Sequence, residues 1–226
     1  MSDAPTRDDA AWGIQSRGEP RWPVRLAILA AIALQLILPN TLIRGLGNRA
    51  FVPSLEGLLL VVLLIANPWR ASREEYRLRI IGVALVALIT VANMVSLVEL
   101  VHALLYGTKA GGRPLVYASV PIWLTNVIAF GLWYWELDRG GPAVRQQPNH
   151  RAPDFLFPQM STPGSAPGWG PRFLDYLFTS FTNATAFSPT DTMPLTAWAK
   201  LLFMLQSFAS LVTVAVVVSR AVNILS

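Results

Sequence analysis

The chain has 226 residues, 53% of them hydrophobic and only 14% charged, and its mean hydropathy is +0.45. A soluble domain of this length has no core large enough to hide that much apolar surface, so the composition excludes an ordinary water-soluble globule and indicates a single integral-membrane domain. The net charge of +5 comes mainly from arginines beside the apolar runs, which makes nucleic-acid binding unnecessary as its explanation, and the absence of cysteine excludes disulfides, thiol catalysis and Cys-ligated metals.

In chain order, residues 1–21 read as a flexible tail, and the first apolar run, residues 24–43, reads as a retained helix that Pro39 kinks or ends. A second, short helix covers 53–66 and closes at "NPW". The third, 78–106, is long enough to tilt, and the fourth, 115–137, is expected to be broken early by Pro121. Residues 139–171 are rich in Pro and Gly and read as a long surface loop, with "DFLF" dipping into the membrane interface. Residues 172–187 form a short apolar helix, and 195–225 form the last one.

These elements predict an all-α, polytopic transmembrane helical bundle with five to six membrane-embedded helices: a four-helix region over 22–138, the loop 139–171, and a C-terminal unit over 172–226. Trp22, Trp69, Trp133, Trp135 and Trp198 fall at ends of apolar runs, where an amphipathic ring suits the lipid–water boundary.

If the first four helices cross in turn, Arg17, Arg21, Arg25, Arg70, Arg73, Arg77, Arg79, Arg139, Arg145 and Arg151 lie on one side. Arg44, Arg49, Lys109 and Arg113 lie on the other. The positive-inside rule then places the N-terminus and the Pro-rich loop in the cytoplasm of a cell with this protein in its inner membrane. Two topologies fit the C-terminal unit: six crossings with both termini cytoplasmic, which Arg220 favours, or a re-entrant loop, five crossings and an external C-terminus.

Polar side chains inside apolar runs are expensive in lipid, which makes them the natural functional candidates. In the third helix Glu99, His102 and Tyr106 stay within about 60° of one another and are candidates for a hydrogen-bonded ionisable cluster, set against simple hydration at the membrane edge. In the last helix Gln206, Ser210, Thr213 and Arg220 share one side, which suits either a pore-lining face or interhelical hydrogen bonding; Thr125, Asn126 and Gln35 are the expected partners. Two histidines, His102 and His150, are too few for a His-rich metal site. No HExxH, GxSxG or P-loop pattern occurs, so no catalytic residues and no cofactor are assigned, and "WYWELDRGG", with Glu136 and Asp138, reads as a structural helix end.

The richest polar stretch is "FLDYLFTSFTNATAFSPTD". Thr179, Thr182 and Thr185 recur every third residue, Asn183 lies among them, Ser188 and Pro189 are expected to stop the helix, and Asp191 or Thr192 to cap the next one with Pro194 in its first turn. This order of short helix, Thr-rich turn, Asp, Pro and long helix with a polar face resembles the pore helix, filter and inner helix of the potassium-channel pore-loop fold, and resembles a family of bacterial inner-membrane proteins with the same closing segment. The resemblance covers roughly the last quarter of the chain. It implies that Thr185 stands at the filter-opening Thr and Asp191 at the Asp after the filter. Because "AFSPT" replaces the glycine-containing filter, potassium selectivity is not implied. The expected function is a channel-like or transporter-like protein for an ion or small solute, with the lipid bilayer and further copies of itself as partners. The alternative is a non-transporting membrane scaffold or subunit in which these groups only bind helices together.

Overall fold

The computed structural model describes residues 19–42, 50–66, 76–106, 112–145, 151–162, 169–187 and 191–225. They form an all-α bundle with one two-residue strand pair. The helices are α1 (Trp22–Ile37), α2 (Phe51–Ala66), α3 (Tyr76–Leu105), α4 (Gly112–Leu137), the one-turn α5 (Pro142–Arg145) and α6 (Pro158–Ser161), α7 (Phe173–Ala186) and α8 (Ala197–Leu225). β1 (Phe155–Leu156) pairs antiparallel with β2 (Met193–Pro194).

Helix α4 is the central post, packed against α1, α3, α7 and α8. Its small residues set the spacing. A Cβ added at Gly131 would stand 3.2 Å from the Cα of Leu177, so the absent side chain is what lets α7 lie against α4. Pro121 does not break this helix, contrary to expectation. One missing N–H is a local loss, and the buried flanking residues Ala118 and Ile122 hold the helical path through it. Pro39 does end α1: Leu38 is extended, and a single 3-10 turn, Asn40–Leu42, follows.

The bundle has two distinct ends. The starts of α1 and α3 and the finish of α4 meet around Arg21, Arg25, Leu78 and Glu136. The finish of α1 meets the start of α2 through Gln35 and Glu56 at the opposite end. Both α7 and α8 begin at the first end, since Tyr176 near the start of α7 bonds Asp138 while Thr196 and Trp198 at the start of α8 bond Asp154. Thus α7 and α8 run parallel. Helix α7 enters the bundle for 14 residues, about 21 Å, and the described residues between it and α8, Phe187 and 191–196, are non-helical.

Phe187 starts the return. It adopts a left-handed conformation (φ 54°) that terminates α7 one residue before the expected Ser188–Pro189 stop. Glycine normally fills this role, and a residue with a Cβ there carries about 1–2 kcal/mol of strain. Leu195 N–H donates to Asp154 O at 2.8 Å, and β2 pairs with β1, so the segment before α8 is held extended. Pro194 therefore lies in a strand and not in a first helical turn, and α8 starts only at Ala197.

Residues 139–171 are only in part a surface loop where they are described: Arg151, Ala152, Pro158, Ser161 and Thr162 are exposed. Phe155, Phe157 and Met160 are buried in the core with Tyr134, Tyr176 and Phe203. "DFLF" thus fills the centre of one end of the bundle, with the Phe155 ring 5.2 Å from that of Tyr134 and 5.8 Å from that of Phe203.

Three helical stretches are long and apolar enough to cross a membrane: Leu78–Leu105, Leu115–Gly140 and Ala197–Ser219. Their outward faces carry Val98, Tyr117, Phe208 and Val218 among other exposed apolar side chains. A continuous surface of that kind is unfavourable in water and natural in lipid, which marks a membrane protein. Helices α1 and α2 are apolar but shorter.

Candidate functional site

The polar residues of α7 and α8 fall into two groups that the sequence pattern did not separate. The first centres on Gln206, which is fully buried. Its Nε2 donates to Ser180 O (2.9 Å) and Ser180 Oγ (2.6 Å), and its Oε1 accepts from Tyr134 OH (2.6 Å) and Asn183 Nδ2 (2.9 Å). Ser180 passes its own proton to Val127 O on α4. Ser207 donates to Asn183 Oδ1, and Asn126 donates to Ser210 Oγ. Thr213 is buried and bonds Ala209 O in its own helix.

Gln206, Ser210 and Asn183 therefore lie in a buried, hydrogen-bonded interface between α4, α7 and α8, and Thr213 is buried beside it. A pore face would leave such groups open to water. Thr179 is also buried, outside that network, and bonds Asp175 O and Thr192 Oγ1, the latter at 3.1 Å. Tyr134, Ser180 and Ser207 belong to the network around Gln206 and were missed from sequence. The i, i+3 pair Ser180 and Asn183 facing Gln206 was the available clue.

The second group points away from the interface. Thr182 is half-buried, and Thr185 and Asp191 are exposed. The hydroxyls of Thr182 and Thr185 bond only carbonyls of their own helix, Phe178 O and Thr179 O for the first and Phe181 O and Thr182 O for the second. Asp191 adjoins Thr192, which places it on the return segment beside the second turn of α7. Ser188 lies outside the described residues, as does the side chain of Arg220.

A third assembly clamps the base of the hairpin. Asp138 is fully buried, accepting from Tyr176 OH (2.6 Å) and from Asp154 N (2.9 Å). Asp154 accepts from Arg139 N (2.8 Å), Thr196 Oγ1 (2.9 Å) and Trp198 Nε1 (2.9 Å). These two carboxylates join the end of α4, the buried loop and the entry to α8. Arg139, Gly140 and Gly141 all have positive φ, which turns the chain sharply after α4 so that both carboxylates can be reached. Arg145 sits over the Tyr176 ring at 5.1 Å and faces Glu19 at 3.6 Å, while Glu19 also accepts from Trp135 Nε1 and Phe173 N. "WYWELDRGG" is thus a structural helix end, as expected, though a buried one.

The Glu99, His102 and Tyr106 row forms no such cluster. His102 and Tyr106 are exposed and their rings lie 4.6 Å apart, and among the described residues no hydrogen bond links Glu99 to either. Sequence reasoning passed over Glu56 instead. It is fully buried in α2 with Oε1 accepting from Gln35 Nε2 at 3.1 Å and Oε2 without a hydrogen-bond partner.

Compared with protein-family models, with curated proteins and with solved structures, the chain matches none.

Proposed function

We propose that the protein is a channel-like membrane protein in which the hairpin formed by α7 and the described residues that follow it, Phe187 and 191–195, borders a polar path for an inorganic ion or small polar solute between copies of the chain. One observation carries this reading: α7 and α8 start at the same end of the bundle, so the hairpin is re-entrant. Non-helical backbone at membrane depth is tolerated only where protein covers it or where it lines a water-filled cavity. The exposed Thr185 and Asp191 sit on this backbone or beside it, and neither suits acyl chains. An oligomer that encloses this face meets both requirements.

The arrangement supports five crossings, by α1, α2, α3, α4 and α8, with the termini on opposite sides. The positive-inside rule places the arginine-rich end, and with it the mouth of the hairpin, in the cytoplasm.

The dry interface around Gln206 favours a second reading, a membrane scaffold or subunit that transports nothing. Flux from the purified protein in liposomes separates the two. The channel-like reading expects flux above that of empty vesicles, lowered in Thr185→Val and Asp191→Asn. Flux no greater than that of empty vesicles would leave only the scaffold.

A further inference from the structure

The first end of the bundle carries a cleft of about 520 Å³ that none of the roles above explains, bordered by Arg79, Trp133, Leu137, Arg151, Trp198 and Leu201 among others. It lies where α3, the end of α4, the buried loop and the first turns of α8 come together. Its walls are held in place. Trp133 Nε1 donates to Thr90 Oγ1 (2.9 Å) and Trp198 Nε1 to Asp154 Oδ1 (2.9 Å), so each indole is fixed by its one donor and presents its ring as a surface. Arg79 is positioned by Glu136 at 3.2 Å. It lies so close to Gly141 that a Cβ there would come within 3.4 Å of its guanidinium carbon. A guanidinium has five N–H donors, and the bond to Glu136 uses the one on Nε.

The cleft lining combines the polar and apolar groups that an amphiphile requires. Two guanidinium groups from different segments border one cavity with two aromatic rings and with leucines at the start of a membrane-length helix. The acidic group in the lining, Asp154, has both oxygens engaged by Arg139 N, Thr196 and Trp198 and keeps its negative charge, which the guanidiniums of Arg79 and Arg151 outnumber. Paired guanidiniums match phosphate geometry, and tryptophans suit the glycerol level of a bilayer. We propose that this cleft is a binding site for an anionic phospholipid, with its phosphate on Arg79 and Arg151, its glycerol region between Trp133 and Trp198, and the beginning of an acyl chain over Leu201 and Leu202. Because Trp198 and Asp154 also hold the entry to α8, the bound lipid would brace the base of the hairpin whether or not the hairpin conducts.

The test uses the full chain in phosphatidylcholine nanodiscs containing increasing fractions of phosphatidylglycerol brominated on its acyl chains, with tryptophan fluorescence as the readout. Expected are saturable quenching at low phosphatidylglycerol fraction, weaker and non-saturating quenching by brominated phosphatidylcholine, and no displacement by excess inorganic phosphate. Arg151→Gln, on an exposed side chain, should raise the half-saturating fraction roughly fivefold, the upper end of what one exposed ion pair contributes. Lys200→Gln, equally exposed near the same edge but outside the cleft lining, should leave it unchanged. Equal quenching by the two lipids, or an equal shift with Lys200→Gln, would reduce the effect to general surface attraction and overturn the site. Displacement by inorganic phosphate would overturn the lipid as its ligand.

Discussion

Replacing Gln206 by Leu tests whether the C-terminal unit is held by its buried amide. Leucine is close in volume and equally content in a helix, so the substitution removes hydrogen bonds without opening a large cavity. Gln206 makes four side-chain bonds, all to other helices: two to Ser180, one to Tyr134 and one to Asn183. Interhelical bonds in membrane proteins average about 0.6 kcal/mol each, so the four together contribute about 2.4 kcal/mol, a change of roughly 50-fold in the unfolding equilibrium. The buried Tyr134 hydroxyl left behind adds to this. Reversible unfolding in mixed micelles by added SDS measures the difference. Thr182→Val serves as the control, because its hydroxyl bonds only its own helix. Gln206→Leu combined with Tyr134→Phe should be less damaging than the sum of the two, by about the worth of their shared bond. A Gln206→Leu protein within about 0.5 kcal/mol of the parent, the scatter of an ordinary surface change, would refute the view that this network ties α7 and α8 to α4.

Two further outcomes follow from packing and exposure. Gly131→Leu should destabilise by roughly 1–3 kcal/mol, the usual range for overpacking, because backbone of Leu177 stands 3.2 Å from the new Cβ, whereas Gly57→Leu, with nothing within 4 Å, should be tolerated; equal stabilities in the same SDS titration would contradict the close approach of α7 to α4. The chain has no cysteine, so single cysteines report accessibility cleanly. Thr185→Cys and Asp191→Cys should react with a membrane-impermeant thiol reagent, and Ser210→Cys, buried against Asn126, should not; labelling at all three positions would show that the α4–α8 interface is wet.

Much of the scaffold was readable because hydrophobic runs in a bilayer protein coincide with helices. The expected bounds 78–106 and 115–137 differ from α3 and α4 by three residues or fewer. The choice between crossing and re-entry was not readable. A 14-residue apolar helix is compatible with either, and what bears on the choice is the long-range pairing of Asp138 with Tyr176 and Asp154 with Trp198, which no local pattern reports. Arg220 favoured six crossings on one charge near a chain end, whereas the common starting end of α7 and α8 supports the five-crossing alternative. The loop failed for a related reason: Pro and Gly correctly excluded a regular helix over 139–171, but Asp154, Phe155 and Phe157 found buried partners instead of water. Among the candidate residues, helical spacing identified polar side chains and left open which way they faced. Gln206, Ser210, Thr213, Asn183 and Thr179 turn inward, and Thr185 and Asp191 outward.

That division also sets the sign of any charge the hairpin would accept. A threonine hydroxyl has one proton, and in Thr182 and Thr185 it is committed to a carbonyl of the same helix, which leaves only oxygen lone pairs to face outward. Asp191 adds a carboxylate on the same hairpin. The unpaired backbone N–H groups that would favour an anion belong to a helix N-terminus, and α7 begins at the mouth of the hairpin, where Asp175 already accepts from Arg172 N at 2.7 Å. The C-terminal end of α7, with its exposed carbonyls and negative dipole end, is the part that reaches deepest. Among the described residues these oriented groups therefore favour positive charge, and a flux carried by chloride in preference to sodium or potassium would contradict the placement of the path on this face.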